Sequence, residues 1–320
     1  MRALTLEQDG VVLRSDKPEP VLRRGEVPVR VLCAGICETD LQLMRGYAGF
    51  RGVLGHEFVG VAQDGPFEGV RVVGEINCSC WECDVCLSGR ASHCPHRSVI
   101  GIRDHDGAFA DFVAVPQRNL HVVPDSIPTD AAVFTEPVAA AFQIPAQLHV
   151  HRRDRVVVLG DGRLGNLCAQ VLAGVTNHLL AVGKHPSKLA LLQSLGIETA
   201  LLAEVSPEPR ADIVVDCTGS ATGLPTALTL VRPRGTVVLK TTMAGTQTLA
   251  LAPIVVDEVT LVGSRCGPFD QALLALESGH VSVLPLISGR FDLSRGREAL
   301  DAASTTPALK ILLDMDRPQA

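Results

Sequence analysis

The sequence predicts an α/β protein of two parts: a region of short antiparallel strands and a doubly wound parallel sheet. Three observations carry this. The run 156–159 is wholly apolar, and Gly160, Gly162 and Gly165 follow it at G-x-G-x-x-G spacing, ahead of a helical stretch at 166–173. From Arg155 onward, strand-like runs alternate with helical ones, the pattern of a parallel sheet with ligands at the strands' carboxyl ends. Residues 1–32, by contrast, alternate apolar and polar with Pro and Gly punctuation, as antiparallel strands do.

In chain order, Leu4, Leu6, Val11 and Leu13, then Val27, Val29 and Val31, mark the first strands. A loop at 46–52 precedes Gly55-His56-Glu57 and a strand over 58–61, and 106–116 returns to alternation. Residues 129–148 read as helices interrupted at Pro137 and Pro145, because proline removes a backbone donor. The parallel strands fall at 156–159, 179–182, 199–202, 213–216, 236–240 and 260–263, with helices at 187–195 and 269–278. The tail is a helix from 299, then a strand at 310–313.

Composition narrows the function. The chain has 320 residues, 46% apolar and 20% charged, enough for two cores. A net charge of −6 without a basic block, and a single Trp and Tyr, argue against nucleic-acid partners. No apolar run reaches membrane-spanning length, and charge at Arg2 and Glu7 comes too early for a signal peptide. The expectation is a cytoplasmic protein with a small-molecule substrate and no membrane partner. In a reducing compartment, clustered members of its ten cysteines point to metal rather than disulfides.

Cys80, Cys83, Cys86 and Cys94 are spaced Cys-x2-Cys-x2-Cys-x7-Cys. Four thiolates in one short loop make a closed tetrahedral zinc site with no position for water, hence a structural one. Cys78 breaks the spacing and reads as a neighbour; His93 and His96 read as surface residues. In the glycine loop, Gly160 permits the turn, Gly162 lets backbone approach a pyrophosphate, and Gly165 lets helix pack on strand. The helix N-terminus offers N–H donors to phosphate. Gly160, Gly162, Leu164 and Gly165 are the candidate cofactor contacts.

Together, Gly35-Ile36-Cys37-Glu38-Thr39-Asp40, Gly55-His56-Glu57, the four-cysteine lobe, Thr135-Glu136-Pro137, the glycine loop and Gly263-Ser264-Arg265 resemble the zinc-dependent medium-chain dehydrogenases, the alcohol dehydrogenase family. The resemblance covers nearly the whole chain. It implies a GroES-like β-barrel catalytic domain from 1–140 and 270–320, and a Rossmann dinucleotide-binding domain at 141–269. It implies two zincs per chain. Cys37 and His56 ligate the catalytic zinc, with Glu136 favoured as third ligand and Glu57 as an exchanging group; Asp40 fixes the tautomer of His56. Thr39 carries the substrate's proton away, although Gln42, where family members often have His, cannot act as a base. Glu38 stands where some members place a basic pyrophosphate contact, and Lys310 matches another such position. The family also implies a homodimer.

The resemblance implies hydride transfer between an alcohol or polyol and a carbonyl compound, with a nicotinamide cofactor. An acidic residue about 20 residues past the glycine loop binds the adenosine ribose and repels a 2′-phosphate. Here that position is Gly183, followed by Lys184, His185 and Lys188, which predicts NADP(H) over NAD(H). A carboxylate introduced at 183 would then reverse the preference. Two alternatives compete: a zinc-free quinone or enone reductase, which lacks Cys37-type ligands and the lobe, and a non-catalytic NADP(H)-binding paralogue, which has no reason to keep Cys37, Thr39, His56 and Glu136 together. Tyr47, Phe50, Ile76 and Phe109 are pocket candidates, but each reads more readily as core than as pocket.

Overall fold

The computed structural model describes residues 1–208, 210–241, 248–305 and 308–315. They form two compact units, Met1–Glu136 with Leu286–Ala320, and Pro137–Pro285. The expected catalytic segment therefore begins at Leu286 rather than at 270. The reason lies in Gln170, whose side chain donates to the Ser282 carbonyl at 3.0 Å and accepts from the Ser282 N–H at 2.7 Å, tying 270–285 to the second unit. Residues 306–307 and 316–320 of the predicted tail lie outside the described residues.

The first unit is built on Glu26–Gly35, whose alternate residues Val27, Val29, Val31 and Cys33 are buried. Glu57–Ala62, Phe112–Pro116 and Lys310–Asp314 each pair with it antiparallel. The sheet continues through Arg71–Gly74 and Leu120–Val122 on one side and Ile287–Asp292 on the other. A second sheet joins Gly10–Arg14, Ala3–Glu7 and Gly52–Val53. Asn77–Cys78 pairs with Ser98–Val99 and closes the base of the cysteine lobe. Of the predicted strand at 106–116, only Phe112–Pro116 forms, because 107–109 bond instead to the loop at 53–55. Phe50, Ile76 and Phe109 are buried, and Tyr47 is half-buried.

In the second unit, six parallel strands run in the order Glu198–Leu201, His178–Gly183, Arg155–Leu159, Ala211–Asp216, Val231–Leu239 and Thr260–Gly263. This 3-2-1-4-5-6 order defines a doubly wound dinucleotide fold. Leu159, Val182, Val214 and Val237 form its core. Arg163–Ala173 follows the first strand as a helix, and Pro186–Ser194 follows the second.

One helix, Thr135–Gln147, runs through both prolines that were expected to interrupt it. Pro137 lies in its first turn, where a backbone donor has no intrahelical partner to lose.

Candidate active site and metal centres

The sheet register brings the first group together. Gly35 lies opposite Glu57, so Cys37, two residues beyond Gly35, emerges beside His56, one residue before Glu57. A side chain at 35 has no room: its Cβ would lie 2.7 Å from Glu57 Oε2 and 2.9 Å from Val133 Cγ1. Cys37 caps the helix Glu38–Met44, and its N–H donates to Asp40 Oδ2 at 2.8 Å. Asp40 Oδ1 faces His56 Nδ1 at 3.3 Å, leaving Nε2 as the other ring nitrogen. One carboxylate thus closes the helix through Oδ2 and sets its other oxygen beside the imidazole.

Cys37, His56 and Glu57 offer ligand atoms that all lie within 4.8 Å of one another. Asp40, His56 and Glu57 are buried, and the two carboxylates need compensating charge. Burial disfavours a charged imidazole, but Asp40 outweighs it and raises His56 well above its ordinary pKa. Glu57 Oε2 pairs with the ammonium of Lys310, which also donates to the Ile36 carbonyl at 3.4 Å and lies over the Phe134 ring. Glu57 Oε1 is buried with no hydrogen-bond partner. An orphaned carboxylate oxygen beside a thiol and an imidazole is a donor set that fits zinc, with three protein ligands and a fourth position for substrate.

The other expected site residues fall as follows. Glu136 is half-buried in the first turn of its helix, and the donor atoms found within 4.8 Å of one another are those of Cys37, His56 and Glu57. Thr39 Oγ1 lies 3.8 Å from Cys37 Sγ. Gln42 donates to Glu38 at 2.9 Å. Lys310, expected at a pyrophosphate, is fully buried with its charge committed to Glu57. The two residues are 253 positions apart, and no local pattern signals the pair.

In the lobe, the four sulfurs approach at 3.5 Å (Cys94–Cys80), 3.6 Å (Cys83–Cys86), 3.9 Å (Cys80–Cys86) and 3.9 Å (Cys83–Cys94). Tetrahedral zinc with sulfur at 2.3 Å requires separations of about 3.8 Å, so this set fits the metal. Backbone hydrogen bonds from Glu82 and Cys83 bring the Cys80 thiol down to about 6, favouring the thiolate that zinc needs. Cys78 stands apart, 3.9 Å from the Ile76 carbonyl, with burial pushing its thiol up to about 12. His93 and His96 are exposed.

The second unit presents the glycine loop. Gly160 has φ +113°, and a Cβ there would lie 2.7 Å from the Cys217 carbonyl oxygen. A Cβ on Gly165 would lie 1.9 Å from the Gly160 carbonyl oxygen, whereas one on Gly162 would meet nothing within 4 Å. Turn, packing and an open approach therefore divide among the three glycines as their spacing predicts. Leu164 is half-buried in the first turn of the helix.

The space beside Gly183 is filled by Asp161: a Cβ at 183 would lie 2.5 Å from Asp161 Cβ and from its Oδ2. Asp161 Oδ2 accepts from the N–H groups of Lys184 and His185, each at 2.6 Å, and His185 Nδ1 lies 3.0 Å away. Gly183 is a glycine because Asp161 occupies its side-chain volume, and an aspartate grafted at 183 would collide with it. Lys184 is exposed and Lys188 half-buried. The signal was the acid inside Gly160-Asp161-Gly162, but sequence alone does not place its carboxylate.

Parallel strands in this order, with the glycine loop after the first of them, define a dinucleotide-dependent enzyme fold. Comparison with known proteins narrows the class. Residues 23–125 match the alcohol dehydrogenase GroES-like domain and residues 164–277 the zinc-binding dehydrogenase domain. The chain belongs to the zinc-dependent medium-chain dehydrogenase family and is an alcohol dehydrogenase-like oxidoreductase. It is 28% identical to a sorbitol dehydrogenase of Halalkalibacterium halodurans, covering 98% of this chain and 99% of that one. It is 29% identical to an erythritol/L-threitol dehydrogenase of Mycolicibacterium smegmatis, covering 92% of each. In fold it is similar to an alcohol dehydrogenase, rspB, of Escherichia coli complexed with NADH, with TM-score 0.89 at 24% identity over 98% of this chain and 99% of that one. No helix among the described residues is long and apolar enough to cross a membrane.

Proposed function

We propose that this enzyme transfers hydride reversibly between a polyhydric or simple alcohol and a nicotinamide cofactor, using a catalytic zinc held by Cys37, His56 and Glu57. The observation that carries the reading is the buried Cys37, His56 and Glu57 donor set, with Glu57 Oε1 unpartnered. Bound there, zinc supplies Lewis acidity, polarising the substrate oxygen and easing loss of its hydroxyl proton. Asp40 holds the imidazole of His56 in register. Lys310 keeps one oxygen of Glu57 engaged and leaves the other for the donor set. Thr39 Oγ1 would accept the substrate's hydroxyl proton while giving up its own to solvent water, and the nicotinamide, when bound, would supply the hydride acceptor. Gln42 has no basic nitrogen and relays nothing onward. A second, structural zinc sits among Cys80, Cys83, Cys86 and Cys94, making two per chain.

A polyhydric substrate draws support from the two polyol dehydrogenases among the relatives. A homodimer joined at the Thr260–Gly263 edge of the parallel sheet draws support from the exposure of that strand and of Val255 and Val256 nearby. A panel of polyols, simple alcohols and carbonyl compounds, followed by nicotinamide absorbance with zinc-replete enzyme, tests the reaction. Absence of turnover across the panel, in protein that holds two zincs, would refute it in favour of a non-catalytic paralogue. Asp161 fills the side-chain volume beside Gly183, and cofactor choice turns on that residue.

A further inference from the structure

We infer that Asp161 is the residue that selects the cofactor: its carboxylate, reaching from the glycine loop, replaces the acid missing after the second strand and directs the site to NAD(H) over NADP(H). The inference rests on the reading that this unit binds a nicotinamide dinucleotide.

In a doubly wound sheet, the acid that binds the adenosine ribose stands at the carboxyl end of the second strand. The position is Gly183 here, and its missing side-chain volume is occupied by Asp161. The carboxylate has therefore moved in sequence but not in place. Three local donors hold it: the Lys184 N–H, the His185 N–H and His185 Nδ1. Burial opposes its ionisation, but the bonds from His185 and Lys184 prevail and keep Asp161 below the usual carboxylate range.

Nearby positive charge pulls the other way, and screening decides between them. The Asp161 side chain is only 9% exposed, whereas that of His185 is 42% exposed and Lys184 is exposed. Exposed charges on long side chains are weakened by solvent and salt, while a buried carboxylate is screened much less. Like charges forced together at such a site cost enough to set specificity. A 2′-phosphate brought to this end of the strand meets the carboxylate before it gains from the lysine. Lys184 and Lys188 remain available to the solvent side.

Equilibrium binding to the zinc-replete enzyme, read by calorimetry or nicotinamide fluorescence, tests this without turnover. NADH is expected to bind at least about tenfold more tightly than NADPH, and ADP-ribose to exceed 2′-phospho-ADP-ribose by a similar factor. In Asp161→Asn the ratio is expected to fall by roughly tenfold, chiefly through tighter NADPH binding. Asp161→Ser, smaller and equally uncharged, is expected to do the same if the asparagine variant does not fold. Tighter binding of NADPH than NADH by the unaltered enzyme overturns the assignment while leaving the dinucleotide reading intact. So does an unchanged ratio in either folded variant. Binding of neither cofactor overturns both.

Discussion

The four sulfurs of the lobe come from residues 80–94, on a loop whose ends are clamped by the short pair Asn77–Cys78 and Ser98–Val99. The Cys37, His56 and Glu57 group draws on two strand ends, a helix cap and a lysine from near the other end of the chain. The lobe is all thiolate and complete in itself. The second group is mixed and has three donors where the lobe has four. The lobe has little apolar surface to hold its loop together. The other depends on a packed sheet already being in place, and it gathers buried charged groups, Asp40, Glu57 and Lys310, at one point. The difference teaches that a metal site's role can be read from who holds whom: on the proposed reading a metal would hold the lobe, while the fold itself holds Cys37, His56 and Glu57 together.

Four substitutions test that contrast, from the largest effect to the smallest. Cys83→Ala removes one of four ligands from a site whose apparent binding free energy is about 10–16 kcal/mol in zinc-finger peptides, energy that goes directly into folding. The variant is expected to carry one zinc instead of two, to melt earlier and to be cut rapidly by protease between residues 79 and 97. A melting midpoint equal to that of the parent would refute the structural role. Cys37→Ser is expected to lose turnover by roughly a thousandfold, about 4 kcal/mol of transition-state stabilisation, with cofactor binding and melting nearly unchanged. Metal analysis and cofactor titration check it; a large drop in melting temperature would erase the contrast with the lobe.

Asp40→Asn keeps the helix cap nearly isosteric but weakens the hold on His56. Partners of this kind typically contribute about 10–100-fold in metal affinity or activity, and the loss is expected to show in zinc affinity measured with a competing chelator. Unaltered zinc affinity and turnover would mean that Asp40 serves only the helix. Glu136→Gln is expected to have the smallest effect, less than about tenfold in kcat/KM, or under about 1.4 kcal/mol. If it instead matches Cys37→Ser in turnover and zinc content, Glu136 rather than Glu57 completes the catalytic ligands.

Much of the architecture was legible because it is encoded locally. The lobe's spacing puts four thiols within one short loop, and Gly160, Gly162 and Gly165 each meet a steric demand within a few residues of themselves. The six parallel strands announced themselves as apolar runs because both faces of such a sheet are covered. Pro137 was misread because proline's usual effect on a helix interior disappears in the first turn, and only the helix's start decides which applies.

What the sequence determined by itself was the inventory: two sets of candidate ligating residues, a glycine turn between the first parallel strand and its helix, and the order of strands and helices. Tertiary structure decided which carboxylate goes where. Glu57 lies beside Cys37 and His56 because the register sets Gly35 opposite Glu57, and Lys310 reaches Glu57 because Lys310–Asp314 pairs with Glu26–Gly35. Asp161 comes to lie beside Gly183 because the first and second strands are neighbours in register, Leu159 against Val182. Spacing along a chain fixes contacts within a turn or a loop. Contacts between distant segments depend on strand order and register, which are settled only when the sheets close and the core packs.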